Sequence, residues 1–511
     1  MNLCPNFLCP KGIMQSQSLT PEERQSVWHT LRNPRLLLVE LLAGVVVALA
    51  LIPEALAFAV VAGVDPRMGL FTSVTMAIVI AITGGRPAMV SGAAGSTALV
   101  LAPLTASHGV DYLVAAVLLG GLMQVLFAVL GVAQLMRFIP RQVMVGFVNA
   151  LAILIFSSQL PQLIGVPWAV YPLVAVGLLI VIYLPKLTTA VPAPLVAIVL
   201  LTAFTVFAGV KVPTVGDHGA LPDSLPALFI PNVPFTAETL QIIAPFALGL
   251  AMVGLVESLM TAKLVDDITD THSDKTRESW GQGVANLVTG LFGGMGGCAM
   301  IGQTMINING ARARTRLSVF CGGVFILVLS VTLGDIVALI PMAALVALMI
   351  VVAATTFDWH SIRPATLRAL PKAETLVMVS TVLVTVLTDN LAYGVGAGIL
   401  LAMAFFARRV ARFVTVERTI EGVQDAASAV YRVDGQLFFA SSNDLYTLFE
   451  YAEDPNQVVI DLSNANIWDA STVSALDAIT AKYQKLGKTV TVIGLNTTSE
   501  DLHGRLTGRL G

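Results

Sequence analysis

Between residues 36 and 407 one apolar segment follows another, roughly fourteen in all: at about 36–60, 66–83, 90–106, 111–134, 142–164, 170–184, 191–209, 240–264, 280–292, 300–309, 315–333, 336–354, 373–388 and 391–407. Only helices and closed barrels satisfy their own backbone within hydrocarbon, and segments of this length and number leave the helical solution. Composition agrees, with 56% hydrophobic and 12% charged residues against roughly 45–50% and 25% in soluble domains. The net charge of −3 argues neither way, and the basic residues cluster in short loops instead of forming one patch, so no nucleic-acid partner is expected. A full span needs about 20 residues. Several segments are shorter, above all 300–309 and its counterpart near 90–106, and these fit half-helices that begin inside the membrane.

Lys and Arg alternate between loops. With the N-terminus cytoplasmic, the inside loops collect residues from Arg32, Arg35 and Arg86 through Arg137, Lys275 and the run Arg312, Arg314, Arg316 to Arg408, Arg409 and Arg412, while the outside loops keep Arg67 and Lys211. This pattern predicts a multi-pass protein of the inner (cell) membrane with both termini cytoplasmic. Residues 1–35 carry no signal-peptide pattern, so this stretch is expected as a cytoplasmic segment, unstructured over 1–18. Cys4, Cys9, Cys298 and Cys321 show neither a disulfide framework nor zinc spacing.

A proline-rich break at residues 220–236 divides the segments into two sevens. Seven is odd, so the second half enters with opposite polarity, which is the condition for an inverted repeat. The two halves echo one another. Glu54 lies in LIPEALAFAV and Glu257 in MVGLVESLMTA, and about forty residues after each comes a glycine-rich segment, SGAAGSTALV and GGCAMIGQTMI, in which Gly95-Ser96-Thr97 answers Gly302-Gln303-Thr304. An ionisable group buried in hydrocarbon is by default functional.

From about residue 428 the chain is soluble-like. Short apolar strands are expected at 431–440, where Asp434-Gly435 has hairpin character, at 457–463 and at 488–495, with helices over 443–452 and 471–486, the second capped by Asp469. The alternation predicts a small α/β domain over 428–511.

These residues resemble the sulfate permease (SulP) anion transporters: Pro53-Glu54-Ala55-Leu56-Ala57-Phe58-Ala59, Gly69-Leu70-Phe71, Ser91-Gly92, Gly293-Gly294 and Gly302-Gln303-Thr304-Met305-Ile306-Asn307. The C-terminal part resembles the STAS domain of that family. The resemblance implies a membrane domain over 36–412 of fourteen segments in two inverted seven-segment repeats, divided into core and gate, with elevator-like alternating access and a homodimeric state. It places the anion between the N-terminal ends of the third and tenth segments, at Ala93, Ala94 and Gly95 and at Met300, Ile301 and Gly302. Phe58 walls the pocket one turn from Glu54. Opposed helix N-termini can hold an anion without a cationic side chain.

The chain departs from the family pattern at two places. Gln303 stands where many members have arginine, and Glu54 where animal relatives often have glutamine. A carboxylate beside an anion site repels the anion unless it is protonated, so anion and proton are expected to bind together, with Glu54 as the proton-coupling group. The family also implies a second constellation, Glu257 with Thr261, which in some members binds sodium. Ile301 supplies no side-chain ligand to complete it, which leaves a protonatable group or a polar brace as the other readings. Proton–anion symport is therefore expected, with sodium coupling as the alternative and no other cofactor or firm metal site.

Asn286 and Asn307 are expected to hydrogen-bond across helices, and Arg312, Arg314 and Arg316 to anchor the protein at the inner face. Ser471 stands where relatives of the STAS domain carry a phosphorylatable serine. No HExxH, nucleophile elbow or P-loop string occurs, which argues against an enzyme or an ATP-driven pump. An anion channel or exchanger, and sulfate or bicarbonate in place of a carboxylate or dicarboxylate cargo, remain the competing readings.

Overall fold

The structure is a computed structural model and describes residues 26–131, 139–187, 192–219, 224–411, 414–422, 427–439, 441 and 445–509. The chain divides into two compact units, Met1–Gly398 and Ile399–Gly511. Cys4, Cys9, Arg137, Arg412 and the N-terminal 1–18 stretch lie outside the described residues.

The first unit opens with a short helix, α1 (Val27–Arg32), capped by Ser26, and then α2 (Pro34–Ala62), whose Asn33 cap accepts from the Arg35 N–H. After it come α3 (Pro66–Thr83), strand β1 (Ser91–Gly92), α4 (Gly95–His108), α5 (Val110–Val129), α6 (Arg141–Gln159), α7 (Val170–Leu187) and α8 (Ala193–Phe207). The second set runs α9 (Ala237–Thr269), α10 (Lys275–Leu291), strand β2 (Cys298–Ala299), α11 (Ile301–Met305) continued by a π-helical turn over 306–310, α12 (Arg316–Thr332), α13 (Gly334–Ala338), α14 (Met342–Thr356), α15 (Pro364–Ala369) and α16 (Lys372–Thr388). The last apolar helix, α17 (Leu391–Ala411), runs across the boundary between the units.

Each of the fourteen expected apolar segments holds a helix, with two informative differences. Residues 336–354 are not one helix: α13 stops before Pro341 and α14 starts after it, because proline lacks the N–H and drives its predecessor away from helical geometry. The two glycine-rich segments are not helical from their first residues. β1 pairs antiparallel with β2, Ser91 opposite Ala299 and Gly92 opposite Cys298, and only then does each chain wind into its half-helix. The pairing sets the two half-helices head to head, as an inverted repeat requires.

Close approach of helices explains several glycines. A Cβ on Gly44 of α2 would lie 2.9 Å from Cys321 Cβ and from the Ser318 carbonyl oxygen of α12. Glu40 of α2 is 4% exposed and accepts from the N–H groups of Arg314 (2.8 Å), Thr315 (3.0 Å) and Ser318 (3.1 Å). One carboxylate thus closes the open N-terminus of α12 from a neighbouring helix.

At the end of this unit where α3 and α9 finish, Arg86 is gripped by Asp266 (2.9 Å), Thr269 (2.7 Å) and Thr271 (2.7 Å), and Lys275 binds the other Asp266 oxygen at 2.6 Å. Burial pulls the Arg86 guanidinium below its ordinary pKa, and Asp266 opposes that shift. Arg277 donates to the carbonyls of Thr83 (3.1 Å) and Ile82 (3.2 Å), and Arg314 to those of Ile308 and Ala313 (both 2.8 Å). These cations therefore satisfy carbonyls at chain breaks and helix ends.

In the second unit the sheet order is β3 (Thr415–Glu421), β4 (Ser428–Leu437), β5 (Gln457–Ile467), β6 (Thr489–Ile493), with α18 (Ala470–Lys485) and α19 (Thr497–Leu506). β3 is antiparallel to β4, and the other pairs are parallel. Two expectations are corrected. Asp434-Gly435 is not a hairpin turn but lies inside β4 beyond a register shift at Arg432/Asp434. Of the expected 443–452 helix, Leu445 is α-helical and Tyr446–Leu448 form a 3₁₀ turn, while 449 and 450 are neither helix nor strand and 443 and 444 lie outside the described residues. Beyond the last expected strand the chain adds a further helix, α19, capped by Asn496. The sheet also takes β3 from upstream of residue 428, because TVERTIE is too polar to stand out as a strand. Its core closes over Asp454, which accepts from the hydroxyls of Tyr431 (2.7 Å) and Tyr483 (2.5 Å) and from Arg418 Nε (2.8 Å). Desolvation, then the Asp454 carboxylate, push the Tyr483 hydroxyl upward.

Candidate functional site

The β1–β2 crossing is irregular backbone in an apolar interior, so each freed group must find a partner. Buried side chains from neighbouring helices provide them. Ser73 accepts from Ala93 N–H (3.2 Å), Ser258 from Ala299 N–H (3.1 Å) and Thr304 from Val90 N–H (3.0 Å). Asn286 accepts from Gly297 N–H at 2.9 Å and donates to the Gly297 carbonyl at 3.0 Å. Asn307 donates to the Ala88 carbonyl at 2.8 Å and to Ser318 at 3.1 Å. Both asparagines thus act across helices.

Two half-helix N-termini remain beside the crossing. Their cap residues, Ala94 and Met300, have no side chain that accepts from the first turn. The four leading N–H groups of a helix lack intrahelical partners and carry about half a unit of positive charge between them. Ala93, Ala94 and Gly95 are buried on one side; on the other Met300 is buried, Ile301 half-buried and Gly302 exposed. The two ends differ in room. A Cβ on Gly95 would lie 2.7 Å from Phe58 Cε1 and 3.2 Å from Ile155 Cδ1, whereas one on Gly302 would meet nothing within 4 Å. The Phe58 ring therefore closes one wall, and the approach to Gly302 is open.

Gly95→Ala pushes a methyl group into the Phe58 ring, so transport falls, by up to about 10²-fold for a displacement on the ångström scale. Phe58→Leu in the same chain makes room and recovers most of it. Vesicle uptake rates of the single and double variants test this; a fully active Gly95→Ala chain would place the cargo elsewhere.

Glu54 follows Pro53, which leaves the Leu49 carbonyl without its helical bond. The Glu54 carboxyl group hydrogen-bonds the side chain of Gln303, itself 3% exposed. The two departures read from the sequence are therefore partners of one another, one from each half of the repeat. An amide can donate N–H to a carboxylate or accept O–H from a carboxylic acid, while a guanidinium can only donate.

Glu257 is placed differently. Its Oε2 accepts from Ser96 Oγ of α4 and from Cys298 Sγ of β2 at 3.2 Å, while Thr261 Oγ1 turns back to the Glu257 carbonyl at 2.8 Å. Glu257 thus joins both halves of the crossing, and Thr261 serves its own helix. Sequence reasoning missed Cys298 altogether and met Ser96 only as part of the glycine-rich echo, though Ser96 directly follows Gly95. Among the described residues no group of three or more His, Cys, Asp and Glu gathers to hold a metal ion. In the C-terminal unit Ser471 stands exposed in the first turn of α18, and Asp469 caps that helix through the Thr472 N–H (3.1 Å) while accepting from Phe439 N–H (2.7 Å).

Two broken helices meeting end to end at a short antiparallel backbone crossing define a membrane transport fold. The chain matches the sulfate permease family over residues 37–172 and 166–381 and the STAS domain over 417–506. It is 51% identical over 463 residues to the "Putative sulfate transporter YbaR" of Bacillus subtilis (strain 168), covering 91% of this chain and 95% of that one. Among solved structures, the transmembrane domain of a cyanobacterium bicarbonate transporter, BicA, superposes with a TM-score of 0.63 at 26% identity, covering 71% of this chain and 98% of that chain. The murine Solute Carrier 26 family member A9 anion transporter in the inward-facing state gives 0.80 at 16% identity, over 92% of this chain and 87% of its own, and shows the fold alone. The chain belongs to the sulfate permease family, as a multi-pass membrane transporter of anions with a C-terminal STAS domain.

Proposed function

We propose that this protein is a proton-coupled anion symporter, with the anion held between the N-termini of α4 and α11 and the proton on Glu54. The observation that carries this reading is the Glu54–Gln303 pair. With an arginine at 303, a carboxylate at 54 would be held in a permanent ion pair that opposes protonation. The amide instead serves both protonation states. Protonated Glu54 leaves the helix ends as the main source of potential facing the anion, and the loaded core crosses with less net charge. Movement of the core against the gate in an elevator-like step, a homodimeric assembly, and termini and STAS domain on the cytoplasmic side complete the proposal.

The cargo is a small oxyanion. The names of the relatives favour sulfate and bicarbonate, and the open space at Gly302 also admits a carboxylate or dicarboxylate. Sodium coupling is the weaker alternative, because Ser96 and Cys298 already occupy Glu257 and Thr261 is bonded to its own helix. We assign Glu257 the role of a brace between α9 and the crossing.

Gln303→Arg tests the pair directly. Uptake of labelled sulfate, bicarbonate and succinate into proteoliposomes, with and without an inward proton gradient, should show the variant binding anion yet losing most of the stimulation by the gradient. Stimulation equal to that of the unaltered chain contradicts the proposed pair.

A further inference from the structure

We infer that the segment 224–236, SLPALFIPNVPFT, is an interfacial strap whose apolar side chains lie in the boundary between lipid headgroups and acyl chains. The segment contains no Asp, Glu, Lys or Arg, and residues 225–235 form no helix or strand. Pro226, Pro231 and Pro234 bring no N–H groups, which lowers the cost of leaving water. Four of its large side chains face outward: Leu225 is 66% exposed, Leu228 65%, Ile230 76% and Phe235 103%. Apolar exposure on this scale in one uncharged stretch marks an interaction surface.

The occupant follows from where the chain is pinned. Phe229 N–H donates to the Leu291 carbonyl at the end of α10 (2.7 Å), and Asn232 N–H to Asp111 Oδ1 at the start of α5 (3.0 Å). The segment itself runs directly into the start of α9. Three helix ends, those of α10, α5 and α9, therefore place it at one face of the membrane domain. It runs on into α9, a helix long and apolar enough to cross a membrane, whose Leu240 is 52% and Leu248 45% exposed. The two backbone pins hold the strap against the helix ends, with Phe229 half-buried beside Gly293, while Leu225, Leu228, Ile230 and Phe235 stay exposed. An uncharged apolar surface at that level, continuous with helices that face acyl chains, fits a lipid surface, where apolar side chains sink about 5–10 Å.

Full-length protein carrying the photo-crosslinker p-benzoyl-phenylalanine in place of Phe235, or separately of Ile230, reconstituted in phosphatidylethanolamine/phosphatidylglycerol vesicles and irradiated, tests this by intact mass. Adducts of one phospholipid mass are expected at both positions, about tenfold above those at Glu417, a residue on an exposed strand of the C-terminal domain. Species of doubled protein mass would assign the surface to a second copy, internal crosslinks would assign it to the same chain, and absence of adducts would assign it to water. Each of these three results overturns the strap.

Discussion

Glu54→Gln abolishes concentrative uptake driven by a proton gradient while leaving anion exchange across the membrane intact. The substitution keeps the size of the side chain and a hydrogen bond with Gln303, so the pocket wall at Phe58 and the start of α11 are undisturbed. It removes only the exchangeable proton. A neutral amide imitates the loaded carrier, so anion still binds and crosses in counterflow, but return of the empty core no longer depends on releasing a proton. A charge at the bilayer centre costs roughly 2.5–3.5 kcal/mol on insertion scales, and each ~1.4 kcal/mol is a factor of ten in rate, so the gradient-dependent component should fall about 10²-fold. Driven uptake and counterflow, measured on the same vesicles, separate this from general loss of function. Driven uptake that survives means Glu54 packs and does no more; loss of both activities points to damage to the pocket.

Glu40→Ala is expected to be the most destabilising single substitution argued from this structure. Its carboxylate accepts from three backbone N–H groups at the start of α12, and it is buried, so water cannot take its place. Hydrogen bonds to a charged acceptor are worth about 1.5–3 kcal/mol, and stranded buried donors cost ~1–3 kcal/mol each, so the loss should reach about 3–5 kcal/mol. Glu40→Gln, which keeps one accepting oxygen, should fall between. Thermal unfolding in a single detergent reads the order: unaltered chain, then Gln, then Ala. An Ala variant within about 0.5 kcal/mol of the unaltered chain, the range of ordinary surface changes, would remove Glu40 from this role.

The helices were legible because hydrocarbon imposes length and apolar content, and the half-helices because their segments are too short to span. Local breaks were less so: Pro341 divides a segment whose hydropathy runs on without interruption. At the site, Glu54 and Gln303 each stood out as a departure from the family pattern, yet their pairing was invisible, since 249 positions separate them and they meet through the folding of the two halves onto one another around the β1–β2 crossing. Glu257 shows the opposite case. A carboxylate and a hydroxyl one turn apart read as cation ligands, but the hydroxyl of Thr261 turns to its own helix and the carboxylate to Ser96 and Cys298. Glu40 gave no signal beyond being acidic near a helix start, because its partners are backbone groups more than 270 positions away. In the C-terminal unit the strand at Thr415–Glu421 escaped because an edge strand with polar side chains carries almost no alternation.

The most direct measurement of the central claim is proton movement itself. Proteoliposomes loaded with a pH-sensitive dye and given an inward gradient of sulfate, bicarbonate or succinate, with membrane potential clamped, should acidify inside as the transported anion enters, faster than protein-free vesicles correct for passive permeation. The Glu54→Gln chain should admit anion without acidification. Anion entry through the unaltered protein with no accompanying acidification, or acidification unchanged by Glu54→Gln, would contradict proton coupling at this site.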